Sequence, residues 1–209
     1  VIILKNQVNK IAVFAPCKCG STSLEDAYMR LPRPLNPVVK KRAKSTISDE
    51  IILKSYSKIY LLTRQTDHWY RSGWYMGMVA NAYENKRRFG KWIPGLQTFL
   101  QHLKIVEQYT KIATDLAKDN NLLELGGQFP GMEQYFEHCI FSPAWIYKHK
   151  LKEDPKVELI LLQDTENTVK ALKEISPHLQ LLHSNKSVTS PYNINREETS
   201  KILDIINSI

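Results

Sequence analysis

The stretch Pro16-Cys17-Lys18-Cys19-Gly20-Ser21-Thr22-Ser23 gathers side chains suited to one task, the grip of an anion. An apolar run from Lys10 to Ala15 (KIAVFA) precedes it, and a segment with Leu24, Ala27, Tyr28 and Leu31 at helical spacing follows it. The pattern reads as strand, tight loop, helix. At the start of a helix the backbone N–H groups lack intrahelical partners and the dipole presents its positive end, so a phosphate or sulfate is stabilised there. Gly20 permits close backbone approach, Ser21, Thr22 and Ser23 bring hydroxyl donors, and Lys18 brings a mobile positive charge. The order differs from G-x-x-x-x-G-K-[ST], because here the lysine precedes the glycine. The same residues also suit a plain turn into a capped helix, since Ser and Thr favour caps without binding anything.

A second group follows the next strand-forming run, Lys58 to Thr63 (KIYLLT). Arg64 ends that run, and Ser72 falls on the same side of the helical stretch that starts near Thr66, a spacing with which two side chains can hold one phosphate. His68 shares this face. The neighbouring aromatics Trp69, Tyr70, Trp74 and Tyr75, with Met78, suit a sugar or adenine ring, but core packing is the stronger reading of such a stripe. A third polar segment, Leu182-His183-Ser184-Asn185-Lys186-Ser187, lies near the C-terminus, with Lys186 and Ser187 as further phosphate donors.

Taken in order, these segments resemble the PAPS-dependent sulfotransferases, most of all the Golgi-type carbohydrate sulfotransferases and their bacterial relatives. The run Lys18-Cys19-Gly20-Ser21-Thr22-Ser23-Leu24 is similar to the loop that holds the donor's 5'-phosphosulfate, with Cys17 standing where the family usually has proline. TRQTDHWYRSGWY resembles the 3'-phosphate motif: Arg64, Arg71 and Ser72 are present, while Gln65-Thr66 replaces an acidic-proline pair. The late segment, with Pro191-Tyr192 and Glu197-Glu198, resembles the His-x-Asn-x-Ser and Tyr/Glu pattern.

The resemblance implies an enzyme that moves a sulfuryl group from 3'-phosphoadenosine 5'-phosphosulfate (PAPS) to an acceptor hydroxyl on a carbohydrate. It implies a P-loop-like three-layer fold, with Lys18 as the catalytic cation and no metal. Relatives place a His or Glu base between the two phosphate motifs, but residues 24–63 contain no histidine, and Glu50 reads better as the solvated start of a short helix. His138, in FEHCIF, is the candidate base. Two other readings stand beside this one. A nucleotide or small-molecule kinase would need a conventional P-loop and acidic magnesium ligands at strand ends. A non-catalytic basic nucleotide- or nucleic-acid-binding module would show diffuse, salt-dependent binding. No nucleic-acid partner is expected under the sulfotransferase reading.

These side chains need a scaffold to bring them together. A chain of 209 residues that is 43% hydrophobic can bury one substantial core, so a single domain over 1–209 is the expectation. Strands alternate with helices: KIAVFA, KIYLLT and Val157 to Gln163 (VELILLQ), which reads as a third, buried strand, each precede a helical pattern, the last capped by Asp164 or Thr165 with Val169, Leu172 and Ile175 on its apolar face. That alternation predicts an α/β fold with a central, mostly parallel sheet flanked by helices, and a ligand site beyond the strands' carboxyl ends. Residues 30–45, rich in proline and base, are expected to be irregular and exposed, and Ser48 to cap a short helix to about Tyr56. A long helix is expected over Gly95 to Lys118.

The net charge of +8 attracts polyanions in general, including nucleotides, sulfated glycans and acidic membrane surfaces. The basic residues at 40–42 and 86–91 can border an acceptor cleft, or simply solvate a face. Three cysteines, Cys17, Cys19 and Cys139, are too few for a disulfide framework and point to a reducing compartment. A lone C-x-C pair does not make a zinc site. No run is long enough to span a membrane, and the opening VIILKNQVNK is not a signal peptide. The expected location is cytoplasmic or otherwise soluble, or the Golgi lumen if an upstream anchor has been removed.

Overall fold

A computed structural model describes residues 2–32, 38–42, 55–74, 99–118 and 140–180, and between 200 and 208 the positions 200, 201, 204, 205, 207 and 208. The chain divides into two compact units, one from Val1–Gln65 and Pro143–Lys186, the other from Thr66–Ser142 and Ser187–Ile209.

The first unit is an α/β structure around a five-stranded mixed sheet. Its strands are β1 (Ile2–Asn6), β2 (Ile11–Ala15), β3 (Val38–Arg42), β4 (Lys58–Thr63) and β5 (Val157–Leu161), in the spatial order β3-β1-β2-β4-β5. The run IAVFA of β2 is buried from Ala12 to Ala15, and β4 is buried from Ile59 to Leu62. Apolar β-formers on both faces are what a central parallel strand requires. The two pair in parallel with Phe14 opposite Leu61, and β4 pairs in parallel with β5, Thr63 opposite Leu161. The carboxyl ends of β2, β4 and β5 therefore lie side by side along one edge.

The sheet is less parallel than the sequence predicts, because β1 runs antiparallel to both β2 and β3. The cause is local. Asn6 Oδ1 accepts hydrogen bonds from the backbone N–H of Val8 and Asn9, both at 3.0 Å, and Lys10 adopts a left-handed φ of 55°. These fold VIILKN back on IAVFA as a hairpin. The expectation that residues 30–45 are irregular fails for β3. Val38 is buried, and Lys40 Nζ contacts Glu25 Oε1 at 2.7 Å while lying 5.5 Å from the Tyr28 ring centroid.

The segment 157–163 also differs from the fully buried strand expected. Only Val157 and Ile160 of β5 are buried, whereas Leu159 and Leu161 remain 46% and 37% exposed, because among the described residues β5 is an edge strand. The short helix expected from Ser48 lies mostly outside the described residues.

Helix α1 (Ser21–Met29) follows β2 and packs on β1, burying Leu24 and Ala27, with Leu31 buried just beyond its end. Thr66–Trp74 and Phe99–Lys118, α2 and α3, belong to the second unit. A single α-turn, α4 (Pro143–Trp145), runs into a π-helical turn over Ile146–Lys150. Helix α5 (Thr165–Ile175) follows β5 and packs on β1, β2 and β5 through Thr168, Ala171, Leu172 and Ile175. Asn6 Nδ2 donates to the Ile175 carbonyl at 2.8 Å, joining the first strand to the end of α5.

In the second unit, α2 packs against α3 through rings. Trp74 lies 5.6 Å from Phe99, Phe99 stacks on His102 at 6.0 Å, and the Arg71 guanidinium sits 5.8 Å from the Phe99 centroid. Trp69, Tyr70 and Trp74 are all buried, so these three aromatics are core side chains. Tyr75, Met78 and the basic stretch 86–91 lie outside the described residues. No helix among the described residues is long and apolar enough to cross a membrane.

Candidate anion-binding site

The loop between β2 and α1 is a turn of unusual handedness. Cys19 N–H donates to the Pro16 carbonyl at 3.2 Å, closing a four-residue turn in which Lys18 has a φ of 65°. Positive φ at the third position is the requirement of a type II turn, normally met by glycine. A lysine there costs roughly 1–2 kcal/mol of backbone strain. Gly20 then adopts φ 77°, ψ 18°, while Cys19 between them keeps a negative φ. Left-handed residues on either side of Cys19 bend the backbone into a nest-like concavity of the kind found in phosphate loops, with the Cys19 N–H itself taken by Pro16.

Helix α1 begins at the rim of this concavity. Gly20 is its N-cap and has no side chain to offer, no side-chain cap hydrogen bond is made, and the first turn, Ser21, Thr22 and Ser23, contains no acidic residue. The Leu24 N–H bonds the Gly20 carbonyl at 2.9 Å, so the first regular helical bond leaves the N–H groups of residues 21–23 directed out of the helix. Thr22 is exposed, and Lys18, Gly20, Ser21 and Ser23 are half-buried.

Beneath the loop the Cys19 thiol is fully enclosed, and that burial pushes its pKa far above the usual thiol range. The positive charge of Arg64 is the next influence, drawing it down, and Lys18 does the same more weakly. Both cations therefore reach the loop electrostatically. Arg64 does so from the end of β4, the parallel neighbour of β2. The Cys19 side chain is buried, and its N–H is held by the Pro16 carbonyl.

Arg64 belongs to the first unit and Ser72 to α2 of the second, so the pairing between them stands as a sequence expectation. Within α2, Arg71 and Ser72 are half-buried, while His68 is about half exposed, with Nε2 3.7 Å from Asp67 Oδ2. His138, Lys186 and Ser187 lie outside the described residues, as does Glu50. His102, which the sequence did not mark, is fully enclosed, and burial lowers its pKa to about 3. It is a neutral core residue with no path to an external hydroxyl. Among the described residues, no group of three or more His, Cys, Asp or Glu side chains is placed to hold a metal ion, and neither Cys17 nor Cys19 forms a disulfide. No family model, curated protein or solved structure matches this chain.

Proposed function

We propose that the chain is a sulfotransferase that binds 3'-phosphoadenosine 5'-phosphosulfate at the β2–α1 loop and transfers its sulfuryl group to an acceptor hydroxyl, on a carbohydrate by the family resemblance. The observation that carries this reading is the open start of α1: a glycine cap, no acidic residue in the first turn, and left-handed residues at 18 and 20. A strained lysine and an uncapped helix both cost stability, and an anion bound there would offset that cost. Arg64 at the end of β4 adds a second positive charge where an ATP-dependent kinase would place a carboxylate for magnesium, which favours sulfuryl over phosphoryl transfer.

In the reaction the acceptor oxygen forms a bond to sulfur as the bond from sulfur to the bridging phosphate oxygen breaks. The acceptor proton goes to a base, for which His138 is the candidate. Lys18 donates a hydrogen bond to the departing oxygen and stabilises the charge that grows on it, while the N–H groups and hydroxyls of residues 21–23 hold the remaining phosphate oxygens. By the family resemblance, Arg64 and Ser72 are the residues assigned to the 3'-phosphate, with Lys186 and Ser187 as further phosphate donors.

Calorimetric titration with the product 3'-phosphoadenosine 5'-phosphate, with ATP and AMP as controls, tests the reading without an acceptor. Selective binding that Arg64→Ala abolishes is the expected result. Equal binding of ATP, or no binding, contradicts it.

A further inference from the structure

Leu162 touches both parts of the candidate anion site. Its backbone N–H donates to the Thr63 carbonyl at 2.9 Å, extending the β4–β5 ladder by one step to the residue just before Arg64. Its side chain reaches the loop after β2. A Cβ built on Gly20 would lie 3.2 Å from both Leu162 methyl groups, so the bare Cα of Gly20 rests against that branched end. A side chain at position 20 would have to push the Leu162 methyl groups aside by a few tenths of an ångström.

Hydrogen bonds hold the backbone on both sides of Leu162. Before it, Thr63 Oγ1 donates to the Ile160 carbonyl at 3.1 Å. After it, the chain turns at once, with Asp164 N–H donating to the Leu161 carbonyl at 2.8 Å, and α5 starts on the Asp164 cap. The side chain thus projects from a backbone fixed on both sides.

We infer that Leu162 is a positioning residue for the donor site: it sets the left-handed loop over residues 16–20 at a fixed height relative to Arg64, so that nest and guanidinium address one ligand together. The inference rests on the proposed function for the identity of that ligand, but not for the contact itself. Nothing in the Leu162 side chain can bind an anion, so its effect must pass through Gly20. Removing its outer carbons releases the loop from above, and Cys19, enclosed beneath, becomes reachable.

The experiment compares the unmodified chain with Leu162→Ala, Leu162→Met and, as a control for lost core packing, Leu172→Ala in α5. Two quantities are read: the Kd for 3'-phosphoadenosine 5'-phosphate, and the rate at which Cys19 reacts with a maleimide under native conditions, resolved from Cys17 and Cys139 by peptide mass. Leu162→Ala is expected to raise Kd on the order of tenfold and to speed Cys19 labelling by at least as much. Leu162→Met, which keeps the volume, is expected to restore both, and Leu172→Ala to lower the unfolding midpoint while leaving both unchanged. Labelling of Leu162→Ala at the unmodified rate overturns the inference whatever the titration gives, and so does an unchanged Kd in a chain that binds. An unmodified chain that binds nothing overturns the proposed function instead, while the labelling rate still decides whether Leu162 holds the loop.

Discussion

Helices α1 and α5 both leave parallel strands at the same edge of the sheet, and they treat their first turns in opposite ways. At α5, Asp164 accepts a hydrogen bond from the Asn167 N–H at 3.1 Å, its second oxygen takes the Asn167 side-chain amide at 2.7 Å, and Glu166 adds an acid to the first turn. Those hydrogen bonds, the backbone one foremost, hold the Asp164 carboxyl below the usual carboxylate range. At α1 the cap is Gly20 and the first turn is Ser21, Thr22 and Ser23. One helix meets its positive end with its own carboxylates; the other places none in its cap or first turn. Glycine in place of such a cap forgoes roughly a few tenths of a kcal/mol. The difference teaches that the topology alone does not make an anion site, because both helices share it.

The contrast can be broken most forcefully by giving α1 an acid of its own. Thr22→Asp places a carboxylate at the second helical position, where α5 has Glu166, so the helix is expected to hold or gain stability while affinity for 3'-phosphoadenosine 5'-phosphate falls about a hundredfold. Unchanged affinity in calorimetry would remove the ligand from this helix. Gly20→Ala is next in size. The left-handed φ and the 3.2 Å approach of Leu162 are expected to cost about 2 kcal/mol in urea unfolding, and a midpoint matching the unmodified protein would contradict the loop geometry.

The smallest effect sharpens the other side of the comparison. Asp164→Ala is expected to lower the unfolding midpoint at neutral pH and to leave ligand binding alone. Because folding depresses this carboxyl, its contribution is present above the unfolded carboxylate pKa, about 4, and is lost as pH falls through the folded value. The gap between variant and unmodified protein should therefore close in acid. A gap that stays constant from neutral pH into acid would mean that the cap acts through shape rather than charge.

The sequence made the strand–loop–helix units readable where local chemistry decides them. KIYLLT forms β4 as expected, IAVFA sits within KIAVFA, and Asp164 caps α5. Phe99–Lys118 lies inside the long helix expected. What was not legible depends on partners distant in the chain. VVKKR carries base beside proline and reads as loop, yet it pairs with β1 because Val38 finds a buried position there. VELIL reads as a buried strand, yet no described strand lies on its outer side. The loop residues of the candidate site announced themselves by type and order. Leu162 did not, since nothing distinguishes it from any other leucine at a strand end until Gly20 is seen against it.

The hydrogen bond from Asn6 to the Ile175 carbonyl spans 169 residues, and the unit it closes is interrupted by the whole of 66–142. For a chain made from its N-terminus this imposes an order of assembly. The β1–β2 hairpin and α1 leave the ribosome before β5, Leu162 and α5, which must be synthesised before the sheet has its fifth strand and the loop its cover. During that interval the apolar faces of β2 and β4 are exposed, as contacts of long sequence separation form last and at the greatest entropic cost. The loop after β2 therefore gains its Leu162 cover only after residues 66–142 have been made.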